Sequence, residues 1–148
     1  MPISTQKHLK LQWSLNVAVE GGPNFMLTSS VPGVSAIDVI RVEIAAEAAD
    51  QEVALQPGTT DGSILFMTIS ADKYDLELKY TVDCSYLVNP GNPVGPYDAP
   101  RELDAPHVFL GAGAVKLLRD APPRILHFHS GLMEPVTVQI VIGRTAEA

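Results

Sequence analysis

The chain has 148 residues and a mass of 15.9 kDa, which is the size of one domain. Hydrophobic residues make up 46% of it and charged residues 18%, so the chain can bury a core and is not disordered. Its net charge of −7 argues against a nucleic-acid or anionic-membrane surface, and no apolar run approaches the roughly 20 residues of a membrane-spanning helix. We therefore predict one domain, residues 1–148, that binds neither nucleic acid nor a membrane.

The charge is concentrated in the middle of the chain. Residues 38–83 hold ten acidic and three basic side chains, a balance of −7 that equals the net charge of the whole chain. The first nineteen residues carry Lys7 and Lys10 and no acidic residue, and Glu20 is the single charge in residues 11–37. A solvated acidic face explains this pattern. It is also explained by a molecule with two unlike faces, in which Lys7 and Lys10 are candidate partner-binding residues.

Alternating hydrophobicity predicts strands along most of the chain. Apolar residues at every second position from Leu9 to Val19 indicate a half-buried strand with one core face, which Gly21-Gly22-Pro23 ends. Further strands are predicted at Phe25–Ser29 before a Pro32-Gly33 turn, and at Glu52–Gln56, Ser63–Ser70, Leu76–Val82, His107–Leu110, Ile125–Phe128 and Val136–Ile142, with Gly143 ending the last.

Residues 35–49 are ambiguous between a helix and a strand. Ser35 with Asp38 is typical of a helix capping box, whereas the β-branched residues from Ile37 to Ile44 favour a strand. We predict a strand that runs to about Ala45.

Three segments are expected to lie outside the strands. Residues 89–106 contain five prolines, which exclude a helix and a central strand and predict a loop, either a plain surface loop or a docking element. On the docking interpretation, the candidate partner-binding residues are Pro93, Pro96 and Tyr97. Residues 1–8 are predicted to be an N-terminal arm, and residues 145–148 a short tail.

The predicted elements together define a fold class. They amount to eight to ten strands at spacings near ten residues, with no long helix. This pattern predicts an all-β, single-domain β-sandwich or jelly-roll-like barrel with a Pro-rich loop.

One group of residues has the spacing of a metal site. His127 and His129 occupy alternate positions of a strand and therefore point to the same face, and Glu134 follows. This order resembles the first metal motif of the cupins, which are also β-barrels. The chain lacks a glycine of that motif and any histidine after Glu134, so His107 or His8 would have to complete the site. The alternative is a pair of histidines at a strand edge or interface, where their titration makes assembly pH-sensitive.

No other pattern amounts to an active site. Cys84 is the single cysteine, which excludes an intrachain disulfide and indicates a reducing compartment during folding. Gly111 and Gly113 are expected to be turn or bulge glycines, because residues 114–118 look extended and supply no helix to meet a phosphate. We therefore predict a protein that is not an enzyme, with no catalytic residue and no cofactor.

Four stretches of the chain resemble small virion proteins of tailed bacteriophages, which are head decoration (cement) or minor structural proteins. These stretches are Val53–Thr60 leading into Ile64–Ser70, Ala71–Asp75 leading into Leu78–Asp83, Leu103–Val115, and the closing Val136–Arg144. The resemblance covers about residues 51–144 and rests on strand-and-turn phrases. It implies a protein that is made in the host cytoplasm, binds the major capsid protein on the capsid surface as a homotrimer, and stabilises the shell.

Three alternatives remain open at this point. One is a tail or fibre-base structural protein of the same kind of particle. Another is a metal-dependent cupin-like enzyme that uses His127 and His129. A carbohydrate-binding module would need surface aromatics, for which Tyr74, Tyr86 and Tyr97 are the candidates. On the decoration interpretation, we expect the acidic segment to face solvent and the N-terminal segment to meet the capsid.

Overall fold

A computed structural model gives the structure of the chain, of which residues 9–55, 64–84, 99–118 and 123–145 are described. Their strands are β1 (Leu9–Ala18), β2 (Asn24–Val34), β3 (Ala36–Ile44), β4 (Gln51–Ala54), β5 (Ile64–Ala71), β6 (Leu78–Cys84), β7 (Arg101–Glu102), β8 (His107–Leu110), β9 (Pro123–Ser130) and β10 (Val136–Arg144), and their one helix is α1 (Ala112–Val115). Every strand pair among them is antiparallel. The predicted all-β class is confirmed.

Two four-stranded sheets form a sandwich. Sheet I has the order β3-β10-β5-β8, and sheet II has the order β4-β9-β6-β7. Most connections cross from one sheet to the other, since β3, β5, β8 and β10 lie in sheet I while the strands between them lie in sheet II. Eight antiparallel strands arranged in this way form a jelly roll. The strands β1 and β2 form a separate two-stranded sheet.

The core lies between the two sheets and follows the alternation of the sequence. In β10 the inward side chains Val136, Val138, Ile140 and Ile142 are at most 1% exposed, and residues between them face outward. Sheet II contributes side chains of the same kind, including Tyr80, Leu126 and Phe128. Each such side chain contributes roughly 1.5–3 kcal/mol to stability when it is fully buried.

The ambiguous segment is a strand. Ala36–Ile44 forms β3 and pairs along its whole length with β10, from Ile44 opposite Val136 to Ala36 opposite Arg144. The preference of the β-branched residues therefore outweighs the capping-box signal.

The Pro32-Gly33 turn prediction is wrong, because β2 runs through both residues to Val34. Between Leu9 and Leu11 the register shifts. Leu9 lies opposite Val34 and Leu11 lies opposite Val31, so a step of two residues on β1 matches a step of three residues on β2. Gly33 has a φ of 81°, a conformation that glycine adopts at low cost. Pro32 and Gly33 therefore lie in a β-bulge within a long strand. Strands tolerate proline and glycine at bulges.

The expectation of an extended segment at residues 114–118 is also wrong. Ala112–Val115 forms one turn of helix, and the N–H of Val115 donates to the carbonyl of Gly111 at 3.1 Å. Val115 and Leu118 are both buried. Their spacing of three residues places both side chains on one face of the helical turn.

Gly143 does not end the last strand, which continues to Arg144. It lies opposite Phe66, and a Cβ at this position would overlap the Phe66 ring. The glycine is therefore a packing requirement within β10.

The described part of the Pro-rich stretch contains a short edge strand. Arg101–Glu102 pairs with β6, and Leu103 after it is fully buried. Residues 1–8 and 85–98 lie outside the described residues, and so do the predictions on the N-terminal arm, Lys7, Pro93, Pro96 and Tyr97. Among the described residues, no helix has the length and apolar character needed to cross a membrane.

Candidate functional site

The two strands outside the sandwich form a long hairpin. Strands β1 and β2 pair in register from Trp13 opposite Ser29 to Ala18 opposite Asn24. Gly21, with a φ of 72°, lies in the turn that joins them, and the N–H of Gly22 donates to the carbonyl of Val19 at 2.9 Å. We call residues 14–29 the distal hairpin and the remainder of β1 and β2 the proximal hairpin.

The proximal hairpin is anchored to sheet I. Val31 and Val34 are buried together with Phe66 of β5. Leu11 and Trp13 are partly buried and pack against this cluster. The predicted core face of β1 therefore exists only along its first half.

The distal hairpin has an apolar face that the described residues leave uncovered. On this face Leu15 lies opposite Leu27, and Val17 lies opposite Phe25. These four side chains are between 41% and 57% exposed. The other face is mostly polar, with Met26 and Ala18 as its apolar side chains. The prediction of a half-buried first strand is wrong here, because the apolar face that suggested it has no covering layer within the described part of the chain.

The outer face of sheet I carries apolar residues in two rows across the strands. The strand register places Val39, Val141, Thr68 and Val108 in one row, and Ile37, Gly143, Phe66 and Leu110 in the next. Neither row contains a charged residue. The proximal hairpin packs against the middle of these rows, whereas Ile37 and Val39 on the edge strand β3 remain 49% and 60% exposed. The apolar rows therefore extend beyond the hairpin that partly covers them.

The outer face of sheet II is charged and contains the predicted histidines. His127 lies on β9 between Glu52 of β4 and Thr81 of β6, and it faces outward because its neighbours Leu126 and Phe128 are in the core. Its Nδ1 lies 2.9 Å from Oδ1 of Asp50. Its Nε2 lies 3.4 Å from Oδ2 of Asp83 on β6. When both ring N–H groups donate to these carboxylates, the ring is the imidazolium.

The surroundings of His127 change its pKa. Partial burial of the ring works to lower the pKa, but the hydrogen bonds to Asp50 and Asp83, together with the negative charges of these carboxylates, raise it above its ordinary value of 6.5. The protonated ring connects β9 with the segment before β4 and with β6. His127 is therefore a pH-dependent link across sheet II.

The structure brings together only part of the predicted metal set. Ligand atoms of Asp50, Glu52 and His127 lie within 4.8 Å of one another, a spacing that could hold a divalent cation. His129 lies on the same face, but its Nδ1 donates to the carbonyl of Ala49. Glu134 is exposed in the segment after β9 and is not among the groups that face His127.

Other predicted site residues lie elsewhere. His107 is engaged by Tyr80, since its Nδ1 is 2.6 Å from the Tyr80 hydroxyl, and it does not complete a site with His127. His8 lies outside the described residues. Lys10 is exposed at the start of β1. Asp50 and Asp83 were missed because they are far from His127 in sequence and reach it only through the strand order of sheet II.

Comparisons with known proteins identify no relative. No protein-family model, no curated protein and no solved structure matches the chain.

Proposed function

We propose that this chain is a structural subunit of a tailed-bacteriophage particle. In this proposal it assembles as a homo-oligomer, a trimer on the basis of the resemblance, binds the major capsid protein on the outside of the capsid, and stabilises the shell. It works there without catalysis and without a cofactor.

The distal hairpin is the observation that carries the proposal. An isolated two-stranded ribbon is marginally stable in water, and a third strand or a packed face is needed to stabilise it. Yet Leu15, Val17, Phe25 and Leu27 are about half exposed on one face of this ribbon. A projecting apolar element of this kind is typical of a subunit that completes its packing on assembly.

Two further features support the proposal. Jelly rolls recur in viral capsid domains, although the same fold also serves other functions. Around His127 on the outer side of sheet II, the side chains of Asp50, Glu52 and Asp83 are 54%, 65% and 62% exposed. An acidic outer face keeps particles apart by charge repulsion and is suited to the surface that faces solvent.

Capsids with and without the protein test the proposal. Capsids that lack the protein should keep their shape but disassemble at a lower temperature, and adding the purified protein should restore their stability. The proposal fails if the protein has no affinity for the capsid and the capsid is equally stable without it. Labelled protein found at the tail, and not across the head, would favour the tail or fibre-base alternative.

The group around His127 favours a second candidate, a metal-dependent cupin-like enzyme. Jelly rolls also include the cupins, and Asp50, Glu52 and His127 have a spacing that suits a metal. Against this candidate, His127 and His129 point away from the interior of the sandwich, whereas ligand sites of β-barrels lie in their mouths or interiors. Elemental analysis of the native protein tests it, since an enzyme of this kind requires stoichiometric metal.

A further inference from the structure

The distal hairpin needs an apolar and uncharged surface to cover it. Its exposed face is formed by Leu15, Val17, Phe25 and Leu27, and the one charge along residues 11–37 is Glu20 in the turn. A partner surface with charged groups would have to desolvate them against these side chains, which is unfavourable. The partner surface is therefore expected to be apolar and poor in charge.

The same chain carries a surface of that kind. The outer face of sheet I has two rows without a charged residue, and Ile37 and Val39 at the β3 edge are 49% and 60% exposed. The hairpin of the same molecule does not cover this edge, since residues 14–29 are exposed throughout their length. Among the described residues, one chain thus carries both the hairpin face and the sheet edge, and neither is covered.

The contact that the proximal hairpin already makes shows how the two surfaces fit. Leu11, Trp13 and Val31 pack on Phe66 and its neighbours in the same rows of sheet I. The apolar face of the hairpin continues from this contact through the pair Leu15–Leu27. The apolar rows continue from it to Val39. The apolar face of the hairpin therefore extends beyond sheet I, and the apolar rows of sheet I extend beyond the hairpin that packs on them.

We infer that the distal hairpin of one copy docks on the Ile37–Val39 edge of sheet I in a second copy, beside that copy's own proximal hairpin. Charge favours a contact at these two surfaces. Each copy carries a net charge of −7, and the outer face of sheet II, with Asp50, Glu52 and Asp83, would repel the same face of another copy.

Two unlike surfaces pair either reciprocally in a dimer or head to tail in a closed ring, and the trimer of the proposed function requires the head-to-tail arrangement. This inference rests on the self-association in the proposed function and names the surfaces that carry it.

Site-specific cross-linking tests the contact. One variant carries Leu27→Cys and a purification tag, and a second carries Val39→Cys, both with Cys84→Ser so that the introduced thiols are the ones that react. Circular dichroism and sedimentation first establish that Cys84→Ser preserves the fold and the oligomeric state. The two variants are then mixed, allowed to exchange subunits, and treated with a short bismaleimide.

The expected product is a cross-link between the tagged and the untagged chain. It should exceed, several-fold, the product from Met26→Cys mixed with Val39→Cys, because Met26 lies on the opposite face of the hairpin although it is 68% exposed. Dominant cross-linking of Leu27→Cys to itself would overturn the inference in favour of a hairpin–hairpin contact. Equal yields from the two hairpin positions, or no cross-link, would also overturn it.

The same preparations separate this inference from the proposed function. If the wild type is an oligomer that binds capsids while the cross-link fails, only the docking surfaces are wrong. If the wild type is a monomer without affinity for capsids, the proposed function fails as well.

Discussion

Replacing both Phe25 and Leu27 by serine removes half of the apolar face of the distal hairpin. The two side chains are 54% and 57% exposed. Because full burial of such a side chain is worth roughly 1.5–3 kcal/mol, covering the exposed halves should contribute roughly 2–3 kcal/mol in total to each interface. At about 1.4 kcal/mol for each factor of ten, the double variant should weaken self-association roughly 30- to 150-fold.

Sedimentation velocity over a concentration series measures this change. Met26→Ser is the matched control, because Met26 is 68% exposed on the opposite face of the same strand. The control should leave the dissociation constant unchanged. The fold of the single subunit should also persist in the double variant, since exposed positions usually change the free energy of unfolding by no more than about 0.5 kcal/mol.

Two results would refute this reasoning. An unchanged dissociation constant in the double variant would show that the apolar face is not part of an interface. Equal weakening by Met26→Ser would show that general hydrophobicity of the hairpin, and not one face of it, drives association.

Three further predictions concern the sandwich. Gly143→Ala should lower the free energy of unfolding by roughly 1–3 kcal/mol, because the added Cβ overlaps the Phe66 ring. Thermal unfolding should show no such loss for Gly113→Ala, where the Cβ meets open space, and equal losses would contradict the argument. His127→Gln should lower the free energy of unfolding by about 0.2–1 kcal/mol at pH 5–6, a small effect because the paired carboxylates are exposed. Because the pKa of His127 is raised in the folded state, this contribution should disappear as pH rises through the folded-state pKa. Denaturant unfolding at several pH values measures the difference, and a difference that grows with pH would refute the sign. If the protein is structural, the double variant His127→Ala/His129→Ala should have the same metal content and the same oligomeric state as the wild type. Elemental analysis measures the metal content, and a loss of stoichiometric metal in the variant would favour the enzyme.

The strands of the sandwich could be predicted from sequence because their signals are local. The alternation from Val136 to Ile142 follows directly from one buried and one outward face, and β10 has that pattern. The β-branched residues of β3 likewise indicated a strand. Misjudged positions were those where a glycine or proline serves a tertiary contact, as at Gly143 against Phe66, or a bulge, as at Gly33.

The candidate sites were harder to predict because they depend on contacts between distant residues. The alternation in β1 shows that one face is apolar, but it carries no information on whether a layer covers that face. The spacing of the two histidines indicated a shared face, whereas the actual partners of His127, Asp50 and Asp83, are 77 and 44 residues away in sequence. Glu134 fits the motif because it is near in sequence, but it does not face the His127 ring.

The distribution of charge on the two faces follows from the topology and not from the acidic segment as such. Residues 38–83 include strands of both sheets, because consecutive strands of the jelly roll mostly alternate between them. Within this segment the outward residue Val39 is apolar on sheet I, while Glu52 and Asp83 are charged on sheet II. The strand register thus places Val39 in the charge-free rows of sheet I, beside the outward residues Arg41 and Glu43, and places Glu52 and Asp83 in an acidic cluster on sheet II. If copies associate through the charge-free rows of sheet I, the acidic face of sheet II is left on the outside of the assembly, where its charge is solvated at least cost.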